Sequence, residues 1–383
     1  MTAQNTALLT LGRLPKALDI ARALHGAGWR VIVAEPCRWH LCAVSTAVAR
    51  SIRVPSPTED SAAYREAMLG IIAAESVDFL VPVSEECLHV AALGDALPDS
   101  VRVLSMPLAE VAALHDKYSF AQYARDLGLS APTTLKLDEP GVGDLVAAGS
   151  IVIKGRNSCS GVGLELVDRG ATLPHRLYPG EWVAQAHVDG DLVSTFSVAH
   201  NGQTLVTAVY RGTLFSDTVA VCFERLSAEV AVERWVEAFV AANNYTGFIA
   251  FDFVIDSDGT PWAIECNPRS TSGIHFLRSE ALGQLLLNPG KPVDQPFRRE
   301  REFMQFWPAL TEVQSSMFHN GFADKLAAFR RARDVCFRWR DPLPLWTMPI
   351  TAWRILRLAL FGGRSFGEAA TFDIEWRPQA RTP

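Results

Sequence analysis

A chain of 383 residues exceeds what one ordinary core accommodates, so two or three domains are expected. Its 49% apolar and 20% charged composition excludes a disordered polymer, and a net charge of −6 excludes the basic field that sequence-independent nucleic-acid binding needs. Seven cysteines scattered without CxxC spacing argue against a zinc site and a secreted disulfide framework, and leave a reduced, cytoplasmic protein as the expectation.

In chain order, 7–11 is an apolar strand, 17–27 a helix and 29–34 a second strand, a β-α-β opening. A loop at 51–57, a helix at 64–75, a buried strand at 78–82, a helix at 87–96 and a strand at 101–105 complete a parallel, doubly wound unit. Its first turn, LGRLP, lacks the G-x-G-x-x-G fingerprint, so a dinucleotide site is not expected. A second unit starts near His115, with a helix at 116–128 and a strand at 151–154. It becomes β-rich at 182–186, 194–200 and 205–211, with Asn201-Gly202 as a hairpin turn. A helix at 228–243 precedes strands at 248–255 and 262–265, joined by Asp-Ser-Asp-Gly at 256–259. From about Pro296 the chain is rich in Trp, Arg and Pro and is expected to form helices and loops around the earlier domains.

The segment GFIAFDFVIDSDGTPWAIECNPR carries the clearest chemistry. On two adjacent antiparallel strands Asp252 and Glu265 project onto one face, and Asn267, two residues on, returns to it. Carboxylates that close require a cation or a proton between them, and an oxygen-only set with room for phosphate suits Mg²⁺. The apolar flanks FIAFDFVI and WAI predict burial, where an unpaired carboxylate is costly. Cys266, between them, is expected to face the core. Upstream, IVIKGRNSCSGVG sets Lys154 at a strand end before Gly155, Gly161 and Gly163. A point charge and a small-residue loop suit phosphate, although the segment alone fits a hairpin turn equally well.

Taken together, Lys117 in HDKYSF, Lys154 with its loop, EWVAQAHVDGD, Asp252 and ECNPR resemble the ATP-grasp superfamily over roughly the first 280 residues. The resemblance implies an α/β chain: a doubly wound pre-ATP-grasp domain (1–114), an ATP-grasp fold of two α+β subdomains (115–295, lid about 150–187) and a helical and loop C-terminal extension (296–383). It implies that Lys117 and Lys154 contact the phosphates of ATP, with Lys154 also near adenine. Residues 184–187, including Gln185, Ala186 and His187, form the hinge on which adenine stacks, backbone groups reading its edge. Asp252, Glu265 and Asn267 hold two Mg²⁺ ions, for which Mn²⁺ can substitute. Arg269 stabilises the acyl phosphate or anchors the acceptor carboxylate. Ser158, Ser160 and Gly161 close over the γ-phosphate as a lid.

Departures from the family pattern assign the rest. Ala186 and Leu192 stand where relatives carry glutamates, so Asp191 is nominated for the ribose. Ala250 stands where many peptide-type ligases carry an arginine; Arg211 either supplies that charge or is a solvated strand-end residue. Ser270, Ser272 and Gly273 leave space beside the acceptor, with His275 as a titratable group bordering it.

The implied reaction is attack of a carboxylate on the γ-phosphate to give an acyl phosphate, then displacement of phosphate by an amine. Its partners are a small-molecule carboxylate and an amine, without nucleic acid, and homodimerisation is compatible with the resemblance. Alternatives are a carboxylase or carbamoyl-phosphate-type enzyme using bicarbonate, and a non-catalytic nucleotide-binding regulator. The N-terminus shows no signal-peptide pattern, and no apolar run nears the roughly 20 residues that span a bilayer, so stable membrane association is not expected. WRILRLALF, Trp353–Phe361, is expected to be an amphipathic helix covering its own core rather than a membrane-surface helix. Trp339, Trp346, Trp353 and Trp376 are expected as core and interface anchors.

Overall fold

The computed structural model describes residues 4–157, 164–173, 181–216, 219–227, 229–317, 321–361 and 366–376. Ser158, Ser160 and Gly161, the expected lid residues, lie outside them.

The chain opens with a parallel five-stranded sheet. Its strands are β1 (Thr6–Leu9), β2 (Arg30–Glu35), β3 (Arg50–Arg53), β4 (Phe79–Val81) and β5 (Arg102–Val103), in the order β3-β2-β1-β4-β5. Helices Pro15–Gly26 and Ser61–Ala74 supply the crossovers. Strands β1, β2 and β4 are apolar and buried on both faces, as a helix-covered parallel sheet requires. Strand β3 falls in the span expected to be a loop, because its mostly exposed sequence RSIR forms the sheet edge without an apolar alternation to reveal it.

At the end of β2 the charges are committed within the chain. Glu35 ends β2, where a dinucleotide fold places its ribose-binding acid. Its carboxylate instead accepts from the backbone N–H of Gly12 (2.9 Å) and of Arg13 (3.1 Å) and from Arg13 Nε (2.9 Å). Arg13 also donates to Asp373 Oδ1 at 2.6 Å, so the chain's own charges fill that corner and bind the C-terminal extension to the first domain.

A four-stranded sheet follows, made of β6 (Thr134–Lys136), β7 (Ile151–Gly155), β8 (Glu165–Val167) and β9 (Trp182–Ala186), in the order β6-β9-β7-β8. The third sheet has seven strands: β10 (Asp191–His200), β11 (Gln203–Ser216), β12 (Val219–Arg225), β13 (Gly247–Ile255), β14 (Pro261–Asn267), β15 (Glu302–Met304) and β16 (Arg333–Asp334). They run in the order β14-β13-β10-β11-β12-β15-β16. Its period-two alternation splits two cores. Phe251 and Phe253 face helix Val230–Ala242, where Trp235 stacks on Phe239 at 5.3 Å. Phe196, Ala208 and Tyr210 face the first domain with Phe276.

The C-terminal extension adds β15 and β16 to the third sheet and continues as short helices against the first domain. There Asp341 accepts from Ser45 Oγ (2.6 Å) and from Arg22 Nε (3.0 Å). Of the tryptophans expected as core and interface anchors, Trp339, Trp346 and Trp353 are exposed and so are not core residues. Trp376 is half-buried and meets the His89 ring edge-on at 4.8 Å. Among the described residues, no helix is long and apolar enough to cross a membrane.

Candidate active site

Strand register brings the carboxylates together. Asp252 on β13 pairs with Glu265 on β14 and with Ser194 on β10, while Ala250 pairs with Asn267. Ser194 Oγ donates to Asp252 Oδ1 at 2.6 Å and Asn267 Nδ2 to Asp252 Oδ2 at 3.3 Å. Burial, and then the neighbouring Glu265 charge, push the Asp252 carboxyl up to about 6. Cys266 is buried on the opposite face, as expected.

Both nominated lysines reach the same corner. Lys117 is the first residue of helix Lys117–Asp126, whose N-cap Asp116 accepts from the Tyr118 N–H at 3.1 Å and is paired with Arg156. Lys117 Nζ lies 3.5 Å from Glu265 Oε1. Lys154, buried near the end of β7, donates to Gln185 Oε1 (2.9 Å) and to the Ile264 carbonyl (2.8 Å). Burial holds its ammonium down to about 8, against the opposing pull of Glu265. The second and third sheets are therefore bridged by this side chain and by Gln185, whose Nε2 also donates to the Ile264 carbonyl at 3.5 Å.

The expected hinge, 184–187, runs along the end of β9. Strand β9 lies between β6 and β7, so its backbone groups are committed to the two ladders. The Ala186 N–H donates to the Thr133 carbonyl at 2.8 Å and the His187 N–H to Ser150 at 3.0 Å. Neither N–H is therefore left to read a base edge. Gln185 enters the site by its side chain, through Lys154.

Arg269 follows β14 and points back. Its guanidinium pairs with Glu85 (2.5 Å) and donates to Asn267 Oδ1 (2.9 Å). Glu85 comes from the loop after β4, at the switch point where the strand order of the first sheet reverses between β1 and β4, the place where open α/β sheets bind ligands. Lys16, from the helix after β1, donates to the Ser270 carbonyl at 2.7 Å and is held down to about 7 by burial and by Arg269. Ser270 Oγ donates to the Val83 carbonyl, so that nominated residue seals the domain junction. Ser272 begins the short helical turn Ser272–Phe276. Gly273 is a glycine by necessity: a Cβ there would lie 2.4 Å from Phe196 Cβ and 2.8 Å from Tyr210 Cε1.

Three nominated side chains sit elsewhere. His275 is buried, its Nδ1 2.6 Å from Asp19 Oδ2 and its ring stacked on Phe223 at 5.7 Å, which makes it a packing residue and not a wall of the pocket. Arg211 is exposed and paired with Glu224 at 3.1 Å. Its neighbour Tyr210, opposite Ser194, takes the inward place in the Asp252 row. Asp191 is exposed at the start of β10 and shares the parity of Val193, which packs in the core on the opposite face from Ser194. Sequence reasoning missed Lys16, Glu85, Ser194 and Tyr210. The only local signal was SEE directly after a buried strand.

The comparisons with known proteins agree with this geometry at the level of class. Residues 114–273, which include both lysines and the full Asp252–Arg269 cluster, match the family model for the ATP-grasp domain. That part of the chain is therefore similar to the ATP-grasp domain. Among solved structures, an L-amino acid ligase from Bacillus licheniformis is 17% identical, with 78% of each chain covered and a TM-score of 0.58. N5-carboxyaminoimidazole synthetase from Staphylococcus aureus is 13% identical over 82% of this chain and 86% of its own, with a TM-score of 0.60. Biotin carboxylase from Campylobacter jejuni is 13% identical over 78% and 74%, with a TM-score of 0.59. At these identities the likeness is one of fold. No curated protein matches the chain.

Proposed function

We propose that this chain is an ATP- and Mg²⁺-dependent ligase that joins a carboxylate to an amine through an acyl phosphate, releasing ADP and phosphate. The observation that carries the reading is the facing pair Asp252 and Glu265, with Asn267 beside them and two buried lysines converging from another sheet and helix. These residues fit a hard divalent cation. They offer oxygen donors only, and burial, then the neighbouring Glu265 charge, raise Asp252. Among the described residues no group of three or more His, Cys, Asp or Glu is arranged to hold a metal. Two carboxylates and an amide leave the remaining coordination to phosphate oxygens and water, as Mg²⁺ prefers. Bound there, the cation would supply neutralisation of the charge that develops on the transferring phosphoryl group.

In this reading Lys117 and Lys154 orient the phosphates. Arg269, fixed by Glu85 and Asn267, holds its planar fork toward the acyl phosphate or the acceptor, and Lys16 adds a second cationic group at the domain junction. The substrates enter at the switch-point crevice, between the loops after β1 and β4.

The test is ADP and phosphate release in Mg²⁺ across a panel of carboxylates, each with and without amines, and with bicarbonate as a separate arm. Release requiring both a carboxylate and an amine, and lost in Glu265→Ala, supports the ligase. Release that needs only bicarbonate assigns the carboxylase chemistry instead. If no combination accelerates release and Glu265→Ala leaves nucleotide affinity intact, the reading fails.

A further inference from the structure

The helix Trp353–Phe361 covers a small core with Ile355 and Leu358, as expected, but its first residue and the helix before it leave apolar side chains exposed. Trp346, Ile350 and Trp353 are 61%, 66% and 56% exposed, and Trp39, just after β2, is 60% exposed. Three of them, Trp39, Ile350 and Trp353, line one cleft of about 550 Å³ together with Arg38, Arg53 and Arg354. No Asp or Glu lines that cleft. The Arg38 guanidinium lies 5.4 Å from the Trp39 ring centroid, and Arg38 and Arg53 are exposed. Arg354 is shared with buried Asp373 at 3.3 Å.

A contiguous apolar surface with an arginine rim is unusual on a chain whose net charge is −6. Tryptophan, with an apolar body and a polar N–H, favours the boundary between hydrocarbon and water, and arginines beside it favour an anionic lipid face. A second copy of the chain fits less well. A two-fold contact of this face with itself would set arginine against arginine with no carboxylate in the cleft to answer it.

We propose that this face is a peripheral docking surface for an anionic phospholipid bilayer. Trp39, Trp346, Ile350 and Trp353 enter the interfacial layer, and Arg38 and Arg53 meet the lipid phosphates.

The full chain is sedimented with vesicles of phosphatidylcholine, with and without phosphatidylglycerol, at low and high salt. Binding should require phosphatidylglycerol, weaken at high salt and fall about tenfold or more in Arg38→Glu/Arg53→Glu. Trp346→Ala/Trp353→Ala should lose binding with an unchanged unfolding midpoint, since both side chains are exposed. Equal binding to both vesicle types, or none to either, overturns the proposal. So does a concentration-dependent dimer, seen by sedimentation velocity, that the tryptophan variant abolishes while vesicles are not bound. None of these outcomes depends on the ligase activity.

Discussion

Replacing Lys154 by methionine keeps the length of the side chain and deletes its charge. A lysine held at about 8 instead of 10.5 carries about 3 kcal/mol of unfavourable free energy in its charged, folded form at neutral pH. Methionine removes that term but also removes the bonds to Gln185 and the Ile264 carbonyl, worth about 1 kcal/mol each. The variant should therefore be more stable than the parent at pH 7, by about 1 kcal/mol, while losing nucleotide binding. The sign reverses with pH. Between pH 8 and 10.5 the unfolded parent keeps the proton that the folded parent has released, so the parent gains stability across that window and overtakes the variant. Urea unfolding of both proteins at pH 7 and pH 10 measures this. A variant less stable at both values by the same amount would refute the buried-charge reasoning.

Three further outcomes follow from the packing. Asp373→Ala leaves Arg13 and Arg354 short of a buried partner and should cost about 3 to 5 kcal/mol by urea denaturation. In Gly273→Ala the new methyl group meets Phe196 and Tyr210, so stability should fall by about 1 to 3 kcal/mol, read as a lowered thermal midpoint. His275→Ala strips Asp19 of a buried partner and should lower stability by about 2 kcal/mol, while the acceptor KM of the folded variant stays at the parent value. A raised KM with unchanged stability would return His275 to the pocket.

The class of fold was legible because its signals are local. Buried strands such as Phe79–Val81 and the nearly continuous apolar run of Gly247–Ile255 announce themselves within a few residues. The spacing that sets Asp252, Glu265 and Asn267 on one face is equally local, since it needs only a hairpin and the period of a strand. What escaped depends on distance along the chain. Lys16 reaches Ser270 across 254 residues, and His275 finds Asp19 across 256, so a buried ion pair could not be told from a substrate contact. Edge strands escaped for another reason: Arg50–Arg53 is polar and mostly exposed, and sheet edges carry little hydrophobic pattern. Local pattern does not reveal that Trp346 and Trp353 face outward, because tryptophan is usually buried.

The central claim is that Asp252 and Glu265 form a cation-dependent phosphate site, and calorimetric titration of ADP tests it without knowledge of the substrates. The parent should bind ADP in the presence of Mg²⁺ and at least about tenfold more weakly without it, whereas Asp252→Asn and Glu265→Gln should lose the Mg²⁺ dependence. Equal ADP affinity with and without Mg²⁺ in the parent, or an unaltered Mg²⁺ effect in both variants, would contradict the account.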